Sequence, residues 1–354
     1  MELILGAILG VVFAVIFQPP LEHVRSFFTK HARRMVYSLR QPADIPNIEE
    51  FTLANRILPF LVVDGDGEHF YTPLTLSCVV EPAPIKFPPE IDALRSQIEI
   101  REENKRLVAE PYHWNGPLFS LKSFSIGRTI PNEDLELRLV FQKTDYYSFQ
   151  ATIQSLDLLL SDGTTLRKKY LTPPPHDPVP FLATGFGVAI VLVSSDHKII
   201  FSRRSSQSGT RPGELDVSFV EGVHPDLDRA PNSCPDIFRT AIRGAGEEVG
   251  VDLAEDDILF FGFGVDLEYY QWNILGMAHL NLPADEALQQ RTRGSGGKWE
   301  THEFLIIDAR PDDVWKFMKH EKVWAMGWVA LYWTLVHEYG RSKVDRSARR
   351  FLSN

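Results

Sequence analysis

The apolar run FGVAIVLV, from Phe186 to Val193, constrains the fold of this chain more than any other segment. A run without a polar face predicts a strand that is covered on both sides of its sheet. After a turn at Ser195 and Asp196, KIIFSRR predicts a second strand. Further strand patterns (FFGFGVD, NILGMAHLNL, THEFLIID) are interleaved with helix patterns (DIFRTAIRGAGEEVGV, PDDVWKFMKH, WAMGWVALYWTLVHEYG). This order predicts an α/β/α sandwich with a mixed sheet.

A proline-rich segment precedes the sandwich and marks the predicted domain boundary. TPPPHDPVP contains five prolines and is typical of a semi-rigid linker, which we place at residues 173–180. The sandwich then covers residues 181–340, and residues 341–354 form a polar tail. Upstream, residues 45–172 show strand patterns around Asp-Gly turns and one charged helix, EIDALRSQIEIREENKRLVAE. They predict a separate β-rich α+β domain of unknown function.

The N-terminus is apolar enough to predict a membrane anchor. MELILGAILGVVFAVIF has no charge after its second residue, and a helix of that length approaches the ~30 Å hydrocarbon thickness of a bilayer. We expect residues 1–20 to form a transmembrane helix in the lipid bilayer; a buried core helix is the alternative. Residues 21–44 are rich in Lys and Arg, which favours a basic juxtamembrane helix and a single-pass protein with its C-terminal domains in the cytoplasm. A basic, solvated helix that packs on the soluble domain is the alternative for residues 21–44. Gly6 and Gly10 form a GxxxG pair that permits a homodimer.

The overall charge and the cysteine count exclude several classes of protein. A net charge of −10 and a pI near 5.6 argue against nucleic acid as a partner, because nucleic-acid binding needs a basic surface. Two cysteines, Cys78 and Cys234, are too few for a disulfide framework or a thiolate metal site. They favour a reducing compartment.

Two adjacent glutamates, Glu247 and Glu248, lie near the end of the predicted helix RTAIRGAGEEVG. Positions 244, 247 and 248 share one helix face, since residues three and four apart are neighbours. Carboxylates are ligands that Mg²⁺ prefers, and Arg243 would orient Glu247 by pairing with it. Gly244 contributes no ligand to this face. Gly250 is expected to end the helix.

These residues resemble the signature of the Nudix hydrolase superfamily. The signature runs Gly, five residues, Glu, seven residues, then Arg-Glu-apolar-x-Glu-Glu-x-Gly-apolar. Its second half is matched by Arg243, Ala245, Glu247, Glu248, Gly250 and Val251. The resemblance covers residues 181–340. We call residues 222–251, which the signature spans, the box.

The chain departs from the family pattern at three places in or beside the box. Glu221 precedes Gly222 where the family usually has a Gly-Gly pair. Counting back from Arg243 puts the first glutamate of the signature on Pro235, next to Asp236. At Gly244 the family normally carries a metal-binding glutamate, and its loss raises the alternative of a domain that binds a nucleotide without cleaving it.

The resemblance implies a pyrophosphatase that cleaves the diphosphate linkage of a nucleoside diphosphate derivative with Mg²⁺ or Mn²⁺. The metal ligands that it implies are Gly222, Glu247 and Glu248. The catalytic candidates are Arg243, Glu247, Glu248, Glu300 and Glu303, with Glu300 or Glu303 as an assisting base. The candidates for substrate binding are Arg203, Arg204, Arg211 and Tyr270, for which a solvated strand end or a core position is the alternative. Without catalysis, the domain would be a nucleotide-binding sensor or effector module at the membrane.

Overall fold

The computed structural model describes residues 50–129, 134–206, 211–230, 234–293 and 301–353. The strands are β1 (Glu50–Leu53), β2 (Arg56–Gly65), β3 (Leu76–Glu81), β4 (Pro117–Arg128), β5 (Leu135–Asp145), β6 (Phe186–Val193), β7 (Lys198–Arg204), β8 (Leu215–Asp216), β9 (Phe219–Gly222), β10 (Ile258–Asp266), β11 (Gln271–His279) and β12 (Thr301–Asp308). The α-helices are α1 (Pro89–Leu107), α2 (Tyr146–Ala151), α3 (Leu166–Tyr170), α4 (Ile237–Gly244), α5 (Ala284–Arg293), α6 (Pro311–Met318), α7 (Ala325–Tyr339) and α8 (Arg341–Leu352).

The described strands form one large mixed sheet and one small sheet. The large sheet has the order β1-β2-β10-β11-β6-β7-β12, with β8 paired to β7 and β9 paired to β6. Its strand β6 pairs in parallel with β11 and antiparallel with β7 and β9. The small sheet has the order β3-β5-β4.

The apolar run that predicted a doubly covered strand is β6, and each of its residues is buried. Helix α7 packs on the face that carries Ala189, Val191 and Val193, within the main hydrophobic cluster. Helix α4 also contacts β6, and its buried residues lie outside that cluster, on the other face of the strand. The predicted α/β/α sandwich is therefore confirmed for the large sheet.

The predicted boundary at residues 173–180 does not separate two compact units. Residues Ile48–Asn354 cluster as one unit. Strand β2 precedes the proline-rich segment, yet it pairs antiparallel with β10, and β1 pairs with β2. The segment predicted as a separate β-rich domain is thus divided between the large sheet and the small sheet. Its strand patterns indicated which residues face a core but not which strands pair.

The predicted polar tail is a helix. In α8, Val344, Ala348 and Leu352 are buried and lie four residues apart, so they form one apolar stripe. This stripe packs against α6 and α7. The missed signal was a four-residue apolar spacing within a segment of high charge.

The predicted transmembrane anchor at 1–20 and basic helix at 21–44 lie outside the described residues, as does the GxxxG pair within the anchor. Among the helices that the structure describes, none has both the length and the apolar character needed to cross a bilayer. Helix α7 is apolar nearly all round because it packs in the core.

Candidate functional site

Arg243, near the C-terminal end of α4, lies at the centre of the candidate site. Its Nε and Nη2 atoms donate to the two carboxylate oxygens of Asp228, at 2.8 and 2.9 Å. Nη2 also donates to the Gly222 carbonyl at 2.8 Å. Nη1 lies 3.1 Å from Oε1 of Glu221 and 3.0 Å from Oε2 of Glu247. We call these five residues the Arg243 network; it ties β9, the following loop and the end of the helix together.

Asp228 is the network residue that the sequence analysis missed. Its carboxylate is fully buried, and it accepts hydrogen bonds from Thr240 Oγ1 at 3.0 Å and from the His224 N–H at 2.7 Å. A buried charge needs such partners together with an opposite charge, which Arg243 supplies.

The position of Asp228 corresponds to the first glutamate of the signature. Five residues, 223–227, separate it from Gly222, as the signature requires. Fourteen residues, 229–242, then separate it from Arg243, where the signature has seven. Counting back from Arg243 therefore led to Pro235, and that assignment was wrong. Counting forward from Gly222 finds Asp228.

Asp236, the alternative that the sequence suggested, begins helix α4 instead. Its side chain accepts hydrogen bonds from the N–H groups of Phe238 and Arg239, at 3.0 and 3.3 Å. An aspartate at this position satisfies backbone donors that have no partner within the helix. Asp236 therefore fixes where the helix begins, and through it the position of Arg243.

The two adjacent glutamates lie on a π-helical turn, Ala245–Val249, that continues α4. The turn ends at Gly250, which has a φ of 79° and donates its N–H to the Ala245 carbonyl at 2.9 Å. Gly250 ends the helix, as predicted. Single π-turns inside helices occur frequently at functional sites. Glu247 is 48% exposed and Glu248 is half-buried, so both are near the surface.

Gly244 lies against β9 so closely that it leaves no room for a side chain. A Cβ atom at this position would be 2.8 Å from the Phe219 ring and 2.9 Å from Cβ of Glu221. A glutamate cannot be placed here without moving β9. Position 244 thus lacks the carboxylate of the signature because it is glycine, and the packing against β9 leaves no space for a longer side chain there.

Glu221 places a carboxylate next to the space that Gly244 leaves. Its side chain is 19% exposed. Burial raises the pKa of the Glu221 carboxyl to about 7, while Arg243 lowers it and the charges of Glu248 and Glu247 raise it. The charges of Glu247 and Glu248 therefore act on the Glu221 carboxyl.

The donors at this site are of the type that a hard divalent cation takes. Glu221, Glu247 and Glu248 offer carboxylate oxygens, which Mg²⁺ prefers to nitrogen or sulfur. Within the described ranges, no three His, Cys, Asp or Glu side chains are arranged as a ready-made metal site. Arg243 bonds two of the oxygen donors, Glu247 and the Gly222 carbonyl, and its guanidinium holds them in place. The chemistry of these oxygen donors suits a divalent cation.

Two of the predicted residues pair with each other away from the network. Strands β7 and β12 place Glu303 opposite Arg203, and Nε of Arg203 lies 3.2 Å from Oε2 of Glu303. A second nitrogen of Arg203 lies 3.0 Å from Glu321. The structure therefore places Glu303 in an ion pair with Arg203. Glu300 lies outside the described residues.

The other two predicted arginines gather around a buried carboxylate. Asp216 is 2% exposed and lies 3.2 Å from Nη2 of Arg211 and 4.0 Å from Nη1 of Arg204. The Arg211 guanidinium also stacks on Trp324, with its central carbon 3.5 Å from the ring centroid. Because Arg211 is only 6% exposed, it is a structural residue here and not an open phosphate ligand.

The prediction that Tyr270 binds substrate is corrected by its burial. Its side chain is 1% exposed, and its hydroxyl accepts a hydrogen bond from the Val179 N–H at 2.8 Å. Burial raises its pKa to about 12. Tyr270 therefore fastens the proline-rich segment to the sandwich and presents no ring face for a nucleotide base.

Comparison with solved structures gives partial matches. The crystal structure of DR0079 from Deinococcus radiodurans is 14% identical, with a TM-score of 0.30, over 48% of this chain and 83% of that one. The MutT protein from Methanosarcina mazei Go1 is 15% identical, with a TM-score of 0.26, over 47% of this chain and 94% of that one. No family model matches the chain.

Curated relatives match about a third of the chain. Uridine diphosphate glucose pyrophosphatase NUDT22 of Bos taurus is 34% identical over 122 residues, which are 34% of this chain and 38% of the relative. The same-named protein of Mus musculus is 32% identical over 121 residues, 34% of this chain and 36% of the relative. The chain thus matches well under half the length of these relatives. Together with the box residues assembled around Arg243, these matches support the resemblance of the chain to the Nudix superfamily, with a divergent box.

Proposed function

We propose that this chain is a Nudix-type pyrophosphatase that cleaves the diphosphate linkage of a nucleoside diphosphate derivative. The observation that carries the proposal is the Arg243 network, in which one guanidinium holds Asp228, the Gly222 carbonyl and Glu247 in place. The names of the relatives support a nucleoside diphosphate sugar, with uridine diphosphate glucose as the first substrate to test.

Four residues of the network, together with Glu248, have a defined part in the proposed reaction. Mg²⁺ or Mn²⁺, held by Glu247, Glu248 and the Gly222 carbonyl, would polarise the diphosphate and activate water. The Gly222 oxygen has two lone pairs, so it retains one while it accepts from Arg243. Asp228 fixes the guanidinium at two points, and the guanidinium fixes Glu247. Arg243 and Asp228 are thus positioning residues for the carboxylates.

A nucleotide-binding module without hydrolytic activity is the second candidate function. Two observations favour it. Gly244 removes a carboxylate from the helix face. The positive charge of Arg243 contacts two of the carboxylates that remain, those of Glu221 and Glu247. Such a module would recognise the same nucleotide and leave the diphosphate intact. The two candidates differ in turnover and not in ligand.

The proposed enzyme is attached to a membrane through residues 1–20, with the Nudix-type domain in the cytoplasm. The uncharged apolar run and the basic residues that follow it support this arrangement. Separation of membranes from soluble protein tests it directly. The full chain should sediment with membranes and a chain that lacks residues 1–20 should not; a full chain that stays in the supernatant would contradict the anchor.

The activity is tested with the full chain in detergent, using uridine diphosphate glucose and a panel of other nucleoside diphosphate derivatives. The expected result is release of nucleoside monophosphate with Mg²⁺ or Mn²⁺ and none with a chelator. Glu248→Gln should abolish turnover, while Glu110→Gln, which alters an exposed glutamate after α1, should not. Ligand-induced thermal stabilisation without turnover under any metal would instead support the binding module.

A further inference from the structure

We infer that a cavity between helices α6 and α8 binds an anion that carries phosphate groups. The cavity has a volume of about 520 Å³, which is within the range of about 300–1,000 Å³ that ligand pockets have in proteins. It is open to solvent, since Arg310 and Arg350 in its wall are 68% and 72% exposed. None of the five residues of the Arg243 network lines it. The cavity is therefore a second site, and binding there does not depend on hydrolysis at the box.

Cations outnumber carboxylates in the wall of this cavity. The two carboxylates are Asp312 and Asp313, and the five cations are Arg310, Lys316, Lys343, Arg346 and Arg350. Three of these cations belong to α8, a helix that carries five Lys or Arg residues and one Asp. The whole chain has a net charge of −10, so this positive surface is a local feature. A concave site lined by one sign of charge concentrates ions of the opposite sign.

The two carboxylates of the cavity are already held by side chains of its own wall. Asp312 accepts a hydrogen bond from Ser347 Oγ at 2.5 Å, and Asp313 lies 3.3 Å from Nε of Arg310. Ser347 is 6% exposed, so its hydrogen bond lies in the buried part of the lining. That bond joins α6 to α8 and fixes the distance between the two walls.

Four of the five cations keep donors for a ligand. The Arg350 guanidinium lies 3.6 Å from Asp312 and the Lys316 ammonium lies 3.7 Å from Asp313, and these distances are too long for hydrogen bonds. Among the described residues, no carboxylate pairs with Lys343 or Arg346. Guanidinium and ammonium groups of this kind bind phosphate oxygens through charge-assisted hydrogen bonds.

The number of available donors fits a ligand that carries at least two negative charges. A phosphate monoester has a charge near −2 at neutral pH, and a polyphosphate has more. Soluble polyphosphates and lipids with a phosphate monoester headgroup share this chemistry. One titration for each source distinguishes them.

The first titration uses inorganic tripolyphosphate and the full chain in nonionic detergent, with a chelator present, and is followed by calorimetry. The chelator removes the divalent cation on which the proposed chemistry of the box depends. Lys343→Gln and Arg346→Gln should each weaken binding about fivefold, the contribution of one cation near an anionic group. Arg349→Gln is the matched control, because it removes the same charge from an exposed position of α8 outside the cavity. It should change the affinity by less than about twofold, since salt screens distant exposed charges.

A variant with the opposite effect separates binding from a fault in folding. Asp313→Asn removes a negative charge from the wall and releases Arg310 and Lys316 from their contacts with it. It should strengthen tripolyphosphate binding by a factor similar to the one lost in Lys343→Gln. The unfolding temperature of Lys343→Gln and Arg346→Gln without ligand should equal that of the wild type, because exposed side chains outside the core contribute little to stability.

The second titration adds phosphatidic acid, whose headgroup is a phosphate monoester, to the detergent micelles and measures the unfolding temperature of the full chain. A rise above that in phosphatidylcholine micelles, reduced in Lys343→Gln but not in Arg349→Gln, would identify a lipid headgroup as the ligand. Tripolyphosphate binding without this rise would identify a soluble polyphosphate. A response in neither titration, or equal losses in Lys343→Gln and Arg349→Gln, would overturn the inference.

Discussion

Asp228 holds the guanidinium of Arg243 at two points, 2.8 and 2.9 Å, although no part of its own carboxylate reaches solvent. Two parallel N–H···O contacts give a fixed geometry as well as a strong interaction. The pair connects a loop to a helix across fourteen residues of chain, 229–242. The carboxylate that positions the box is therefore supplied by the loop and not by the helix.

Removal of Asp228 should be strongly destabilising. Asp228→Ala leaves a largely buried guanidinium without its two-point partner, and loss of one member of a buried ion pair costs about 3 kcal/mol or more. Denaturant unfolding measures the loss. Asp226→Ala, two residues before Asp228, breaks an exposed ion pair with Arg229; it is the matched control and should cost less than about 1 kcal/mol. Equal effects of the two substitutions would contradict the structural role of Asp228.

Alanine at Gly244 should destabilise the protein in spite of its preference for helices. Its Cβ would lie 2.8 Å from the Phe219 ring and 2.9 Å from Glu221, and such overpacking costs about 1–3 kcal/mol. Gly246→Ala is the control on the same helix end, because no atom lies within 4 Å of a Cβ there. It should be neutral or stabilising by up to about 1 kcal/mol. If Gly244→Ala left the free energy of unfolding unchanged, strand β9 would have moved to make room for the side chain.

Exchange of Arg243 for lysine should have a larger effect on turnover than on the free energy of unfolding. Lysine keeps the positive charge but cannot contact both oxygens of Asp228 while it holds Glu247. A carboxylate that is misplaced by about 1 Å can lower the rate roughly a hundredfold. We expect kcat to fall by that order and Mn²⁺ affinity to fall with it, whereas Arg229→Lys should change neither. Wild-type kcat in Arg243→Lys would show that Arg243 does not position the carboxylates.

The stability of the fold should fall as pH rises, through a carboxyl group away from the box. Asp266 is fully buried, and burial raises its pKa to about 8, with a further increase from Glu268. A raised pKa in the folded state means that the folded chain holds a proton that the unfolded chain releases near pH 4. The stabilisation is therefore complete below pH 4 and is lost as pH rises through about 8.

The variant Asp266→Asn, which is uncharged and has the same shape, isolates the contribution of Asp266 to the pH dependence of stability. Between pH 5 and pH 9 the free energy of unfolding of the wild type should fall, by on the order of 3 kcal/mol, relative to that of Asp266→Asn. Denaturant unfolding of both proteins across this range measures the difference. Parallel curves for the two proteins would show that Asp266 is ionised in the folded state.

Local patterns predicted much of the sandwich and half of the box. The run from Phe186 to Val193 is a buried strand, and Gly250 ends the helix that carries Glu247 and Glu248. The pairing of Arg243 with Glu247 follows from a spacing of four residues on a helix. Patterns of this kind depend on neighbours within one or two turns, so they are present in the sequence without the rest of the fold.

The remainder depended on contacts between distant parts of the chain. The attachment of β2 to β10 follows from strand pairing, which leaves no local signal. Asp228 contacts Arg243 only because the loop between β9 and α4 folds back. The spacing of five residues between Gly222 and Asp228 was already present in the sequence.

The sequence by itself determined the doubly covered strand, the helix that ends at Gly250 and the two glutamates on it, because periodicity and residue type act over a few residues. Only the tertiary structure decided that Asp228 orients the box and that Gly244 leaves its space to Glu221. Those relationships are set by close packing between elements, where a single Cβ atom changes which side chain fits.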